Sequence, residues 1–466
     1  VVAIGLAVVV VRLVRRRRAR AARSWPTRML ADLEAGSHPP HPCSDVNTVA
    51  FIHGAGYLQN VTDSMTEYAV NLMFHSRLAS LGYPVVDVDY RAFVAELPLA
   101  RRFDLPAGHS IAAIARRPGV KKVVPLKEAV AVVADSFWRA RKALAALSPQ
   151  FTDAGHGAVS TASIFAAFDG ALGEAPVMPQ EAAKVVTADY RVPFLAHATM
   201  EPMVCTARVD GERAEIWAGV QDPLNARAMA ADALEWDVEQ IQLTNLPLGG
   251  GFGRRLPFNF DYVQLGVRIA RAMSPTPVKL VWSRENDIQH DYYRPAGMAR
   301  FSGALDKSGT PMAVACHYAG GGDGESVYMP YAIADKRAED RDAPHPIRLG
   351  AWRSVLNSQH GFFKESFIDE LAHAAGKDPY AFRRDLLGDE PRFKAVLDRV
   401  AAMADWTSPL PEGEGRGIAV TESFGSIAAE VAHVAVSPEG TLRVLNVFAA
   451  VDCGDVVNTD TAQAQV

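Results

Sequence analysis

The run Leu248-Gly249-Gly250-Gly251-Phe252-Gly253-Arg254-Arg255 constrains this chain more than any other stretch. Glycine loses more backbone freedom on folding than any other residue, so a cluster around one aromatic implies a chain that turns sharply or approaches something closely. Amide groups freed in such a turn, with the guanidiniums of Arg254 and Arg255 beside them, make a concavity suited to an anion. A flexible surface loop is the plain alternative. The flanks predict a frame around the turn. Asp237-Val238-Glu239-Gln240-Ile241-Gln242-Leu243 alternates like a half-buried strand, and Phe260, Val263, Val267 and Ala270 recur at helical spacing. Strand, glycine turn and helix together could hold a ligand, but the glycine spacings of a dinucleotide fingerprint and of a P-loop are both absent.

With 49% hydrophobic and 22% charged residues, the 466-residue chain is ordinary globular material, long enough for about two to four domains. A formal charge of −5 argues against a nucleic-acid binder, which would show a net basic domain. Cys43, Cys205, Cys316 and Cys453 lie far apart with no CxxC pair, so neither a zinc knuckle nor an iron–sulfur ligand set is encoded. Any iron–sulfur centre belongs on another chain. The apolar run Val1 to Val11 leads into Arg15-Arg16-Arg17-Arg18 and resembles the end of a membrane anchor. It is shorter than the roughly 20 residues needed to span a bilayer, so it reads either as part of an anchor or as a leader. Membrane association through residues 1–20 is expected on the first reading, with the cytoplasm and the periplasm both open as locations.

Residues 1–45 form this start and a Pro-rich linker containing Pro26, Pro39, Pro40 and Pro42. Val49-Ala50-Phe51-Ile52 then reads as a strand, Met65, Tyr68, Leu72 and Met73 as a helix face, and Pro84 to Tyr90 as a second strand, the start of a parallel α/β unit. Two short strands are predicted at Gly119–Val124 and Ala129–Ala134, followed by a helix capped by Asp135 or Ser136 with Phe137, Ala140, Leu144 and Leu147 on its apolar face. Residues 152–186, rich in Ala, Gly and Ser, read as a connection. Ala214 to Trp217 reads as a strand, and Asp222-Pro223 is a good N-cap and first-turn pair for a helix around Met229 and Leu234. Glu430–Val436 and Leu442–Val451 are expected to pair across Pro438-Glu439-Gly440.

His53-Gly54-Ala55-Gly56-Tyr57, with Phe74-His75-Ser76 and Asp87 to Arg91 downstream, resembles the start of the α/β-hydrolase domain of S9 prolyl oligopeptidases, over about residues 46–92. In such enzymes an HG-type loop helps shape the oxyanion hole. No Gly-X-Ser-X-Gly nucleophile elbow occurs in the chain, and without an activated serine there is no acyl transfer.

Beyond residue 107 the chain resembles the molybdopterin-binding subunit of the xanthine dehydrogenase and aldehyde oxidase family, in its isoquinoline 1-oxidoreductase beta-subunit branch. The resemblance rests on ordered blocks: Ala196 to Met203, Trp217 to Pro223, Gly249 to Arg255, Trp282 to Glu285 with His290 to Pro295, Trp352 to Val355 with Glu365 to Ala372, Ser423 to Ser426, and Val451 to Asn458. It implies a mixed α/β, multidomain fold. A hammerhead-like remnant would cover 93–150, a first molybdopterin-binding domain 151–410, and the start of a second one 411–466, behind the truncated hydrolase-like unit. It also implies a molybdenum-molybdopterin dinucleotide, in its cytosine form, with Gly250, Gly251, Phe252, Gly253 and Arg254 beside it. Arg353 would approach the pterin and its phosphates, and Ser423, Gly425, Ser426, Cys453 and Gln465 would line the dinucleotide side. The implied partners are a small [2Fe-2S] ferredoxin-like subunit, an electron acceptor such as a cytochrome c, and a small-molecule substrate. The implied chemistry is hydroxylation of an aldehyde, or of a carbon next to nitrogen, with oxygen from water.

Two family features have no counterpart in these residues. The glutamate base lies in a Gly-Val-Gly-Glu-like motif that is not reached by Val466, and a Glu-Met-Gly-Gln-Gly loop is missing where the hydrolase-like unit stands. The expectation is therefore a partial large subunit without its catalytic base, and a chimeric open reading frame joined near residue 92 is an alternative. Leu195 and Leu256 stand where purine oxidases carry Gln and Glu, which disfavours a purine. Among other conspicuous residues, His197 and Glu201 are at helical spacing and are expected to pair with the backbone. Trp217, Trp282 and Trp352 read as core aromatics. His290 to Tyr293 either line a pocket or form a solvated strand, and Glu365, Asp369 and Glu370 read as an exposed helix face.

Overall fold

The computed structural model describes residues 103–104, 111–126, 129–147, 150–151, 156–256, 260–320 and 328–465. The hydrolase-like stretch 46–92 and the apolar and basic start 1–45 lie outside the described residues. The first described elements are β1 (Phe103–Asp104), α1 (Ile111–Ala115), β2 (Val120–Pro125), β3 (Val130–Ala134), α2 (Phe137–Leu147) and β4 (Gln150–Phe151). The two short strands β2 and β3 form as the sequence implies, and they pair antiparallel. In α2 the inward face is Ala143, Leu144 and Leu147, while Phe137 lies exposed because it sits in the first turn, beyond the reach of this small core.

The stretch that composition reads as a connection contains a helix, α3 (Thr161–Leu172). Ser160 caps it in a reciprocal box with Ser163, and Ile164, Phe168 and Leu172 fall on one face. The small residues between them masked the 3.6-residue period. After β5 (Lys184–Val192) come β6 (Val204–Asp210), β7 (Arg213–Ala218), α4 (Pro223–Leu234), β8 (Ile241–Asn245), α5 (Asp261–Ala272), β9 (Val278–Val281) and α6 (Arg284–Gln289). The sheet order is β8-β7-β6-β9. Its β7 and β8 are parallel, and α4 forms their crossover. Asp222 and Pro223 start α4 as expected. The alternating stretch from Asp237 opens instead as a single 3-10 turn, Val238–Gln240, and only from Ile241 does it become strand. The Gln240 side chain accepts from the Asp237 amide and so closes that turn on itself. Val263, Val267 and Ala270 of α5, with Phe260 before it, are fully buried against this sheet.

The second large unit is built from β10 (Gly297–Leu305), β11 (Pro311–Ala319), β12 (Asp335–Arg341), α7 (Asn357–Ala374), α8 (Pro379–Leu386), α9 (Pro391–Met403), β13 (Glu414–Ser423), β14 (Ser426–Val436), β15 (Leu442–Asp452) and α10 (Thr459–Gln465). One sheet runs β12-β11-β10-β5, and a second is the antiparallel meander β13-β14-β15, whose last two strands pair as the sequence implies. Helix α7 lies between them. Its Phe363, Phe367 and Leu371 are fully buried, Phe367 stacking on Phe301 at 5.0 Å. Ile418, Val420 and Val431 join the same core.

One helix face differs from expectation. Glu365 is buried, not exposed: it accepts hydrogen bonds from Tyr331 Oη (3.0 Å), Arg383 Nε (2.8 Å) and the Val420 amide (3.0 Å). Asp369 is the second carboxylate of Arg383. The reason is that α7 has a core on both sides, and α8 delivers a fully buried guanidinium that needs carboxylates.

Candidate functional site

The glycine loop does turn as expected between a strand and a helix. Gly250 and Gly253 have φ of 101° and 104°, and Phe252 takes φ 56° with its ring exposed. Three side chains hold the turn from below. Gln221 Oε1 accepts from the amides of Gly253 (3.0 Å) and Arg255 (3.3 Å), and Glu201 accepts from the Gly249 amide (2.9 Å). Arg255 is buried and donates to the carbonyls of Gly250, Gly219 and Glu201, each at 3.0 Å.

Here the expected roles of the two arginines are corrected. Arg254, placed beside the cofactor anion by the sequence reading, points inward with 1% exposure, its Nε 2.9 Å from Asp291 and an Nη 3.0 Å from Asp261. Tyr262, Trp282 and Tyr292 surround its guanidinium at 5.4 to 5.9 Å from their ring centres. A buried guanidinium must be matched by carboxylates, and these lie inside. The polar groups that the loop leaves uncommitted are therefore its amides. Those of Gly250, Gly251 and Phe252 have no hydrogen-bond partner among the described residues.

A second segment closes against this loop. The Arg353 amide donates to the Phe252 carbonyl (3.0 Å), and a Cβ on Gly253 would lie 2.1 Å from the Ala351 carbonyl oxygen. Ser354 and Val355 both have positive φ, which places the exposed Arg353 on the outer side of a tight bend before α7. Gly250, Gly251, Phe252, Gly253 and Arg353 are thus brought together.

His197, Asp291 and Trp352 tie the two segments. His197 and Glu201 lie in an irregular stretch, not on a helix, and His197 pairs with more than backbone. Its Nδ1 is 3.0 Å from the Asp291 carboxylate and its Nε2 2.8 Å from the Ala351 carbonyl oxygen, while Trp352 packs on the ring at 4.6 Å. Asp291 is buried in this network, neither lining a pocket nor solvated. Burial alone would push its carboxyl up, but the bonds and charge of His197, with the charge of Arg254, hold it below the ordinary 3.8. Sequence reasoning assigned no role to Gln221, and to Asp291 only that of a pocket wall or a solvated strand residue. Their presence inside the ordered blocks was the available hint.

Ser423, Gly425, Ser426 and Cys453 form a separate group. Phe424 and Gly425, at φ 51° and 81°, make the turn from β13 to β14, and Asp452 at the end of β15 pairs with Ile427. Arg392 fastens the group, donating to the Gly425 carbonyl and to both Asp452 oxygens. Those bonds, with the Gly454 amide, hold the Asp452 carboxyl at about 2. Ser426 Oγ is buried with no partner among the described residues, so the turn retains an unspent polar atom. Gln465 ends α10. The first turns of α7 lie between the two groups: a Cβ on Gly361 would be 3.7 Å from Thr421, two residues before Ser423.

Unpartnered amides beside an exposed aromatic, and a buried hydroxyl without a partner among the described residues at the second turn, fit oxygen-rich ligand groups. Among the described residues no cluster of three or more His, Cys, Asp or Glu side chains could hold a metal ion directly. No described helix is long and apolar enough to cross a membrane.

Residues 156–387 match the molybdopterin cofactor-binding domain family. The chain is 28% identical over 395 residues to isoquinoline 1-oxidoreductase subunit beta of Brevundimonas diminuta, covering 75% of this chain and 50% of that protein. It is 31% identical over 225 residues to the aldehyde oxidoreductase molybdenum-binding subunit PaoC of Escherichia coli (strain K12), covering 46% and 30%. In fold it is similar to quinoline 2-oxidoreductase from Pseudomonas putida 86, with a TM-score of 0.51 and 16% identity, over 78% of this chain and 61% of that one. The chain spans half the length, or less, of these two curated relatives.

Proposed function

We propose that this chain, whose residues 156–387 match the molybdopterin cofactor-binding domain family, is part of the large subunit of a molybdenum hydroxylase acting on an aldehyde or an N-heterocycle. The observation that carries the reading is the closure of the 351–353 segment on the 250–253 loop, which leaves three adjacent amides unspent beside Arg353. In this reading the amides of Gly250, Gly251 and Phe252 donate to oxygen atoms of the pterin cofactor, and Arg353 meets its phosphates. Ser423, Gly425, Ser426, Cys453 and Gln465 take the dinucleotide side, with Ser426 Oγ as the clearest free donor. In this reading Arg254, turned inward to Asp291, would support the loop from below. When bound, the cofactor supplies the two-electron oxidant for hydroxylation with oxygen from water. The partners this reading calls for are a [2Fe-2S] subunit that would take the electrons and an acceptor such as a cytochrome c.

The test is to purify the full-length subunit co-expressed with its iron–sulfur partner, and to measure molybdenum per chain and the nucleotide released by acid. We expect about one molybdenum atom, a cytosine nucleotide, and reduction of an electron-accepting dye by aldehydes or N-heteroaromatics. A complex without molybdenum sinks the reading. The sequence His53-Gly54-Ala55-Gly56 supports a second reading, a serine hydrolase. Labelling of a specific serine by a fluorophosphonate would favour it, and absence of labelling would end it.

A further inference from the structure

His197 is fully enclosed, and each of its ring nitrogens faces a group that can only accept: the Asp291 carboxylate at Nδ1 and the Ala351 carbonyl at Nε2. Both bonds are made at once only when both nitrogens carry hydrogen. The two acceptors belong to different parts of the site. Asp291 also takes Arg254 of the glycine loop, whereas Ala351 belongs to the opposing segment, its carbonyl filling the space beside Gly253. The Asp291 carboxylate is further fixed by the amides of His197 and Tyr292. One carboxylate therefore anchors the glycine loop through Arg254 and the opposing segment through His197.

We infer that His197 is a positioning residue that sets the separation of the 250–253 and 351–353 segments by holding the Ala351 carbonyl. This rests on the proposed function for its consequence, retention of the cofactor between those segments, but the positioning itself is readable without cofactor. Packing alone would give a different pattern. If His197 served only as a buried ring with its Asp291 bond, losing the Nε2 donor would leave the 351–353 segment where it is.

The two nitrogens can be separated by substitution. His197→Gln places an amide nitrogen near the Nε2 position and keeps a donor for Ala351, whereas His197→Asn keeps one only toward Asp291. His197→Ala removes both. In the co-expressed complex, two quantities are measured for each variant: the rate of tryptic cleavage after the exposed Arg353, by mass spectrometry, and molybdenum per chain after dialysis. We expect His197→Asn and His197→Ala to be cut faster at Arg353 and to retain roughly 10-fold less molybdenum, the usual scale for losing an outer support of a metal site. His197→Gln should stay close to the unsubstituted chain in both. Equal behaviour of the Gln and Asn variants, or protection by Asn and not by Gln, overturns the inference. If the unsubstituted complex holds no molybdenum the functional reading fails, and the tryptic contrast alone then decides whether His197 sets the segment.

Discussion

Arg254 and Arg255 both turn away from solvent, and the distinction between them lies in what they hold. Arg255 ties the glycine turn to itself and to the 219 and 201 carbonyls, while Arg254 ties it to two carboxylates from elsewhere in the chain. Just before them in the chain, Gly253 has no room for a side chain. A Cβ there would meet the Ala351 carbonyl at 2.1 Å, and the φ of 104° is strained for any L residue. We expect Gly253→Ala to push the two segments apart, destabilising the chain by about 1–3 kcal/mol and emptying the complex of molybdenum. Gly211→Ala is a control for backbone strain alone, at a milder φ of 59° and with nothing within 4 Å. Urea unfolding and metal content, measured on both, would distinguish loop closure from strain. Equal losses would remove the steric argument.

At the scale of elements, α7 and α8 are fastened by a buried charge group. Arg383 of α8 is fully enclosed and meets Glu365 at 2.8 Å, and Glu365 in turn receives Tyr331 and the first sheet residue to reach it, Val420. Arg383→Met keeps length and apolar contact but strands Glu365, and a loss of about 3–5 kcal/mol is expected on denaturant unfolding. A loss below about 1 kcal/mol would mean that the carboxylate is relieved by another group. This fastening was not legible in the sequence, where Glu365, Asp369 and Glu370 follow the pattern of a solvated face. Charge at helical spacing reports exposure only when nothing opposite demands it. Helix α3 was missed for a different reason, since Ala and Gly between Ile164, Phe168 and Leu172 carry little periodic contrast. By comparison α4, α5 and the β14–β15 hairpin were readable, because a cap, a strong apolar stripe and a proline-glycine turn are local features. The site divides in the same way: the turn at Gly250 to Gly253 is written locally, whereas the inward aim of Arg254 depends on Asp291, far along the chain.

Across the whole molecule the two large cores are distinct. One surrounds α5 and the β8-β7-β6-β9 sheet, and the other joins α7 to both remaining large sheets. Phe367→Ala should remove about 3–5 kcal/mol from the second core. We expect amide exchange to quicken together in α7, β13 and β14, with β7 and α5 unchanged. Uniform acceleration would show instead that the two cores open as one. The segment at 351–355 runs straight into α7, the helix on which that second core is built. In the proposed reading, a cofactor held at this site would stabilise the fold as well as serve the reaction, and its binding and folding free energies would be linked. At a free concentration a hundred times its dissociation constant it would add about 2.7 kcal/mol to the folded state. The midpoint of a heating scan then becomes a gauge of site occupancy, readable without turnover.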